Sequence, residues 1–363
     1  MKREGYIYPR ICTMDNIRQA HKNARRDKSF YKEVRMIDEN PTPYFEEIQQ
    51  MLVKKTYHTS PYTIFQKHDS GKIRTIYKLP YYPDRIIHWA ILLQTSHLFM
   101  RVFMPCSHAA IPGRGIHSAM RQVADYLTAD PEGTKYCLKI DVHHFFPTIE
   151  HEILKQMLRK IIKCPDTLEM YDRIIDSMDG DIGVPIGNYP SQFLANFYLS
   201  YFDHWMKEVL RVKYYTRYMD DIVILAGSKE ELWGYLVLMR MYLWNELRLD
   251  IKDNYAVFPV ASRSIDFTGY KDWGTAGGDR CKITLRKTTW KRMRRTLLDM
   301  QKQWDRDGFI TEHQFYQYNS YAGWAGWAVS GTISRKYLDP LAPAMKSYRE
   351  SMKAARAAGQ TTL

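Results

Sequence analysis

The sequence predicts an α+β protein, and three observations carry that expectation. The middle of the chain alternates a strand, two helices and a hairpin; aspartates stand at the strand end and at the hairpin tip; and 363 residues that are 45% hydrophobic and 14% aromatic describe a folded chain with a sizeable core. That length has room for two or three domains.

Charge points to a class of partner. Lys and Arg number 53 against 40 Asp and Glu, a formal net charge of +13, so a polyanion is the natural partner. Charge alone is equally compatible with a merely basic soluble protein. The cysteines Cys12, Cys106, Cys137, Cys164 and Cys281 are scattered, odd in number and form no CxxC pair, which implies reduced thiols and neither a disulfide framework nor a zinc site. Met1 to Arg10 is charged, and no stretch approaches the length of an apolar membrane span. A cytoplasmic protein without a membrane segment is expected.

Taken in order, the first 60 or so residues read as basic and helical, with Ile17, Ala20, His21 and Ala24 at helical spacing and Arg18, Lys22, Arg25 and Arg26 between them. Tyr62 to Leu79 reads as a basic hairpin turning at Asp69, Ser70 and Gly71. An amphipathic helix is expected from Asp84, carrying Ile86, Ile87, Ala90, Ile91 and Leu92. Tyr136 to Ile140 is an apolar strand ending on Asp141; the helix that follows places Ile153, Leu154, Met157, Leu158, Ile161 and Ile162 on one face. Gly180 to Gly187 is a loop, Ser191 to Trp205 a helix, and Tyr214 to Leu225 a hairpin with Asp220 and Asp221 at its tip. From Asp279 to Arg306 ten basic residues stand against three acidic ones, and Trp290, Met293, Leu297, Met300 and Trp304 keep three-four spacing. This is a helix with an apolar stripe for the core and a basic face on which Arg292, Arg294 and Arg295 are placed to follow a phosphate backbone.

Adjacent carboxylates repel and raise each other's pKa unless a cation holds them ionised, so a divalent metal is the simplest explanation of Asp220 and Asp221 at one tip. With Asp141, and the Val142 carbonyl as a backbone oxygen ligand, they supply what a two-Mg²⁺ phosphoryl-transfer site requires, with Mn²⁺ as the alternative ion. Nucleotide polymerisation is the reaction class implied. His143 and His144 point to opposite faces if their segment is extended, and no zinc is inferred from them. Phe145 reads as core. Phe146, five residues past Asp141, would meet the sugar of a metal-bound nucleotide; a flat apolar side chain there excludes a 2′-hydroxyl, which predicts deoxynucleotide selection. Lys67, Lys72 and Arg74 offer cations to a triphosphate, Arg74 as a two-pronged donor. The loop through Pro185, Ile186 and Gly187 leads into a helix N-terminus suited to face nucleotide or template.

Asp141 with Phe146, the Pro185, Ile186, Gly187 loop, the Tyr218, Met219, Asp220, Asp221 box and Phe267, Thr268, Gly269, Tyr270 together resemble the ordered motifs of reverse transcriptases, over roughly Tyr62 to Tyr270. The resemblance implies a right-hand architecture: a basic helical region at 1–61, fingers at 62–130, a palm of antiparallel sheet packed on helices at 131–275, and a helical thumb at 276–363. It also implies that Phe267, Gly269 and Tyr270 belong to a primer grip and that Lys252 is the general acid for pyrophosphate. The partners implied are a template RNA, a DNA or RNA primer and deoxynucleoside triphosphates. One departure narrows the group. Ile186 stands where many reverse transcriptases place glutamine, and Ile186 to Gln192, with Tyr321 to Trp327, resembles the enzymes of diversity-generating retroelements, which copy template RNA with errors at adenines. That likeness implies a small basic accessory protein, and the segment after Tyr270 is too short for both a thumb and a nuclease domain. Rival readings are an antiphage or retron-like bacterial reverse transcriptase, the latter without its Val, Thr, Gly thumb signature here, and a viral-type RNA polymerase, disfavoured by Phe146. A non-catalytic nucleic-acid-binding protein on a polymerase scaffold is disfavoured by retention of all three acids.

Overall fold

Ile17, Ala20, His21 and Ala24 form the buried stripe of a helix at Met14–Ala24 in the computed structural model, which describes residues 3–69, 72–274, 281–328 and 331–357, and of 69, 72 and 355–357 the backbone only. Ser70 and Gly71 of the hairpin tip, Asp279 and the Lys72 side chain lie outside the described residues. Thr13 starts this helix by accepting the Asn16 N–H at 3.3 Å, which satisfies one of the amides that a helix start leaves without a partner. The helix expected to be amphipathic runs from Ile86 to Met100 and is buried nearly all round, at Ile86, Ile87, Ala90, Ile91, Leu92, Leu98 and Phe99. It has no solvent face because Met14–Ala24 packs on it and so does Tyr189–Tyr198. Each fully buried aliphatic side chain contributes about 1.5–3 kcal/mol, so this helix is a main anchor of the surrounding core.

The basic hairpin consists of β1 (Thr63–Asp69) and β2 (Lys72–Lys78), antiparallel with Lys67 opposite Arg74. A four-stranded sheet holds β3 (Tyr136–Asp141), β4 (Tyr214–Tyr218), β5 (Asp221–Ala226) and β6 (Ala256–Pro259) in the order β4-β5-β3-β6. The register of β3 on β6 runs from Tyr136 opposite Pro259 to Lys139 opposite Ala256. Helices follow β3 at His151–Arg159, burying Leu154, Met157 and Leu158, and at Pro165–Ile175. The helix expected over Ser191 to Trp205 starts at Tyr189, because Pro190 is tolerated in a first turn that has no acceptor for its missing N–H. It breaks at Leu199, whose φ of −91° and ψ of 0° end the ladder; Ser200–His204 and a π-turn at Trp205–Val209 continue the path.

Contacts divide the chain into two units, one comprising 1–115, 140–222 and 233–255, the other 116–139, 223–232 and 256–363. In the second, β7 (Ile265–Phe267), β8 (Tyr270–Trp273) and β9 (Lys282–Leu285) form an antiparallel sheet in that order. The helix Lys287–Asp307 buries Met293, Leu297 and Met300, with Trp290 and Trp304 partly covered, as the three-four spacing predicts. Gly308 ends it in the left-handed region at φ 66°. A capping box of Thr311 and Gln314 starts the next helix, Glu312–Gly326, and Ala344 and Met345 of a third helix, Ala342–Ala357, complete the cluster. Among the described residues no helix is long and apolar enough to cross a membrane.

Candidate functional site

Asp141 is the last residue of β3, and the hairpin tip of Met219 and Asp220 is tied to it through the next residue: the Val142 N–H donates to the Asp220 carbonyl at 3.2 Å. On the other side the Lys252 N–H donates to the Asp141 carbonyl at 2.9 Å, and the Lys252 Nζ lies 3.8 Å from Asp141 Oδ1. Backbone bonds therefore place two of the predicted acids and the predicted general acid together. Burial raises the Asp220 pKa, and the Asp141 charge raises it further, while Lys252 and Arg74 oppose the rise. A partly buried carboxylate beside another is a site that a cation relieves, and the donors present, carboxylates and main-chain carbonyls, are those a hard divalent ion prefers. Asp221 opens β5 and is partly buried. Among the described residues no three His, Cys, Asp or Glu side chains are already gathered around a common ion position.

What aims the tip is a residue to which the sequence alone gives no role. Arg217 lies within β4 at 0% exposure, and its Nη1 donates to the Met219 carbonyl at 3.0 Å. Its Nε and Nη2 reach Asp203, also 0% exposed, at 2.7 and 2.5 Å, and Nη1 also reaches Asn196 Oδ1 at 2.9 Å. Tyr215 donates its hydroxyl to the same Asp203 oxygen at 2.7 Å. Met219 sits at φ 53°, a left-handed conformation that a non-glycine residue holds only when its surroundings impose it. One local signal does exist: a charged residue inside a strand of apolar and aromatic neighbours is rarely buried without a partner.

Phe145 is buried, as expected of a core residue, and Phe146 is half-buried. His143 and His144 are not on an extended segment but in a turn, His144 at φ 43°, with their rings 4.2 Å apart and both exposed. The Phe146 carbonyl accepts the Val184 N–H at 2.9 Å, and the Ile186 carbonyl accepts the Tyr77 N–H at 2.9 Å, so the 183–187 loop is bonded both to the segment after Asp141 and to β2. Gly187 is required at that crossing: it sits at φ +125°, and a Cβ there would come 2.9 Å from the Tyr77 carbonyl oxygen. Gly187→Ala is expected to lose about 1–3 kcal/mol in urea unfolding, because both backbone strain and the approach of β2 are involved. Lys67 and Arg74 are exposed on paired positions of the hairpin, and of the two it is Arg74 whose charge acts on Asp220.

In the second unit the turn between β7 and β8 carries the residues expected in a primer grip. Phe267 and Tyr270 are both fully buried, so only Thr268 and Gly269 of this segment present a surface. Tyr270 stacks on Trp324 at 5.0 Å and its hydroxyl bonds His117 Nδ1 at 3.0 Å; a Cβ on Gly269, at φ +91°, would meet the Trp324 ring at 2.8 Å. His117 stacks on Trp327, and the Arg121 guanidinium lies over the same ring at 4.3 Å. The Tyr321 to Trp327 segment thus supports the turn. Arg292, Arg294 and Arg295 are exposed along the Lys287–Asp307 helix, where with Lys291 and Lys302 they line an open groove of about 630 Å³; Arg294 Nε also donates to the Tyr337 hydroxyl at 3.0 Å.

A family model described as reverse transcriptase (RNA-dependent DNA polymerase) matches residues 65–272. The chain is also similar to the group II intron-encoded protein LtrA of Lactococcus lactis subsp. cremoris, at 20% identity over 313 residues covering 65% of this chain and 51% of that protein, and equally to LtrA of its strain MG1363. It spans about half the length of the curated relatives it matches. Among solved structures, telomerase from Candida albicans in complex with a TWJ fragment of telomeric RNA is similar with a TM-score of 0.46 and 12% identity, covering 69% of this chain and 51% of that one.

Proposed function

The chain belongs to the reverse transcriptase (RNA-dependent DNA polymerase) family, and on that premise we propose that it extends a DNA or RNA primer with deoxynucleotides along an RNA template. The observation that carries this reading is the convergence of Asp141 and the Asp220 tip, with Lys252 against one acid and Arg74 acting on the other. Asp141, Asp220 and Asp221, with the Val142 carbonyl, are the residues that would hold two Mg²⁺ ions. When bound, such ions supply an activated primer hydroxyl and a stabilised pyrophosphate. The protein's own residues do the rest. In this reading Arg74 and Lys67 are the donors to the triphosphate, Lys252, 3.8 Å from Asp141, is the proton donor to the leaving group, and the half-buried Phe146 ring is the group that would exclude a ribose hydroxyl. In the right-hand scheme β1 and β2 are fingers, β3 to β6 palm, and the Lys287–Asp307 helix thumb, its arginines along the product duplex.

Purified protein mixed with primed RNA, Mg²⁺ and deoxynucleotides is expected to extend the primer; absence of extension under conditions where the protein is folded overturns the reading. Phe146→Ala is expected to lower the preference for deoxynucleotides over ribonucleotides by about 10-fold or more, since one steric contact of this kind is worth about 1–3 kcal/mol. Ratios of incorporation at matched concentrations measure it.

Ile186 favours a second, narrower reading within the same activity: error-prone copying in a diversity-generating retroelement, with a structured template RNA and a small basic accessory protein as partners. An apolar branched side chain there gives no directional contact to nucleotide or template. Ile186→Gln is expected to reduce misincorporation opposite adenines several-fold on sequencing of the product; an unchanged error spectrum ends this reading and leaves the polymerase intact.

A further inference from the structure

Lys229–Leu247 forms one helix of 19 residues. Its inner face, Leu232, Leu236, Met239, Leu243 and Leu247, is buried. The outer face is apolar as well: Val237, Met241 and Trp244 are 56–58% exposed, with Trp233 and Leu238 beside them at 46% and 40%. A helix that is apolar all round belongs in an interior, and an open apolar patch of this kind marks an interaction surface. The order of residues along that face specifies what covers it. Glu230, Gly234, Val237, Met241, Trp244 and Arg248 are all exposed and follow one another at steps of four, three, four, three and four, the repeat of a two-helix seam. Read backwards, the seam complements itself. In an antiparallel pair centred on residue 239, Val237 of one copy meets Met241 of the other, the Trp244 ring meets Gly234, and Glu230 meets Arg248. Gly234 has open space around the position a Cβ would take, so it leaves a notch for the ring. Glycine is unfavourable inside a helix, and close approach of a second helix is a reason for it to stand there. Arg248 lies just past the helix end at φ 53°, and its Nη1 donates to the Trp244 carbonyl at 3.4 Å, which keeps the guanidinium at this end of the seam.

We propose that this face is a self-association surface through which two copies of the chain pair, their helices antiparallel about a two-fold axis. A parallel pair would set Glu230 against Glu230 and one Trp244 ring against the other, whereas the antiparallel pair joins opposite charges at both ends and a large side chain to a small one in between. Charge disfavours the polyanions that the net +13 of the chain attracts elsewhere. The helix carries Lys229 and Arg240 against Glu230, Glu231 and Glu246, which matches neither a phosphate backbone nor an anionic membrane. The pairing is independent of the polymerase reading.

Sedimentation velocity of the full chain between about 1 and 100 μM tests this without catalysis or nucleic acid. The weight-average mass is expected to climb from 43.0 kDa toward twice that value as concentration rises. Val237→Glu with Met241→Glu sets carboxylates against one another across the axis and is expected to weaken pairing about 100-fold or more, so that the mass stays at 43.0 kDa. Both positions are exposed, so the circular dichroism spectrum of this variant is expected to match that of the wild-type chain. Glu230→Arg and Arg248→Glu are each expected to weaken pairing about 10-fold, and the two together to restore it, because exchanging both charges rebuilds the antiparallel contact. That rescue separates a charge pairing from a folding defect. A wild-type chain that stays at 43.0 kDa up to about 100 μM overturns the proposal, and the face would then belong to a different protein. A dimer that survives the two glutamates overturns it as well, since the copies would then meet elsewhere. Single charge changes that weaken pairing with no rescue in the double variant overturn the antiparallel arrangement.

Discussion

Asp220→Asn is expected to reduce deoxynucleotide incorporation by about 10³-fold or more and, at the same time, to raise the thermal unfolding midpoint. Positioned divalent ions supply several kcal/mol of transition-state stabilisation, and each 1.36 kcal/mol is tenfold in rate, so loss of one ligand of a shared ion pair has an effect of this size. The stability change follows from the raised pKa. Burial first, and the Asp141 charge second, make the ionised form of Asp220 unfavourable in the fold. A group whose folded pKa lies above its unfolded value contributes stability below the unfolded pKa and loses it as pH rises through the folded one. Ionisation of Asp220 therefore opposes folding, and the neutral amide relieves that. Calorimetry with and without Mg²⁺ measures it. Added Mg²⁺ is expected to raise the wild-type midpoint by binding the folded state alone, and the Asp220→Asn variant is expected to respond much less. A variant that loses both activity and stability would assign Asp220 to the scaffold instead.

The second large effect is expected at Arg217. Arg217→Met leaves the Asp203 carboxylate buried with the Tyr215 hydroxyl but without its counter-charge, and breaking one side of a fully buried ion pair costs about 3–5 kcal/mol. Urea unfolding should show that loss. Arg217→Met combined with Asp203→Leu removes both charges and is expected to recover much of it, because the penalty comes from the stranded charge. Activity is not expected to return with stability, since the double variant still lacks the donor that holds the Met219 carbonyl beside Asp220. Recovery of kcat in the double variant would show that Arg217 supports the fold and does not position the tip.

These two residues also mark the limits of reading the chain in one dimension. Asp141 and Asp220 are legible because each ends a short apolar run, and a carboxylate at such an end is conspicuous against its neighbours. Their mutual approach follows from sequence only through their kind. Arg217 is hard to see because inside a strand its charge looks like an interruption, and its partner Asp203 lies 14 residues away on a separate helix. The helix Ile86–Met100 reads as amphipathic since its polar positions, His88 and Thr95 among them, suggest a wet face; both are buried. Phe267 and Tyr270 read as parts of a primer grip, and the full burial of both side chains is set by packing that the sequence does not show. The sheet of β7, β8 and β9 leaves little trace because its strands are three or four residues long, too short for alternation to register.

By itself the sequence determined the strand that ends on Asp141, the tip that carries Asp220, the striped helix Lys287–Asp307 and the basic hairpin, because periodicity, turn residues and runs of charge act over a few neighbouring positions. Only the tertiary structure decided which charges are buried and what each one faces. Arg217 with Asp203, Lys252 with Asp141 and Gly187 under the Tyr77 carbonyl are pairings of residues from separate elements. Desolvation and Coulomb energy depend on distance through space, and a chain carries no local mark of that distance.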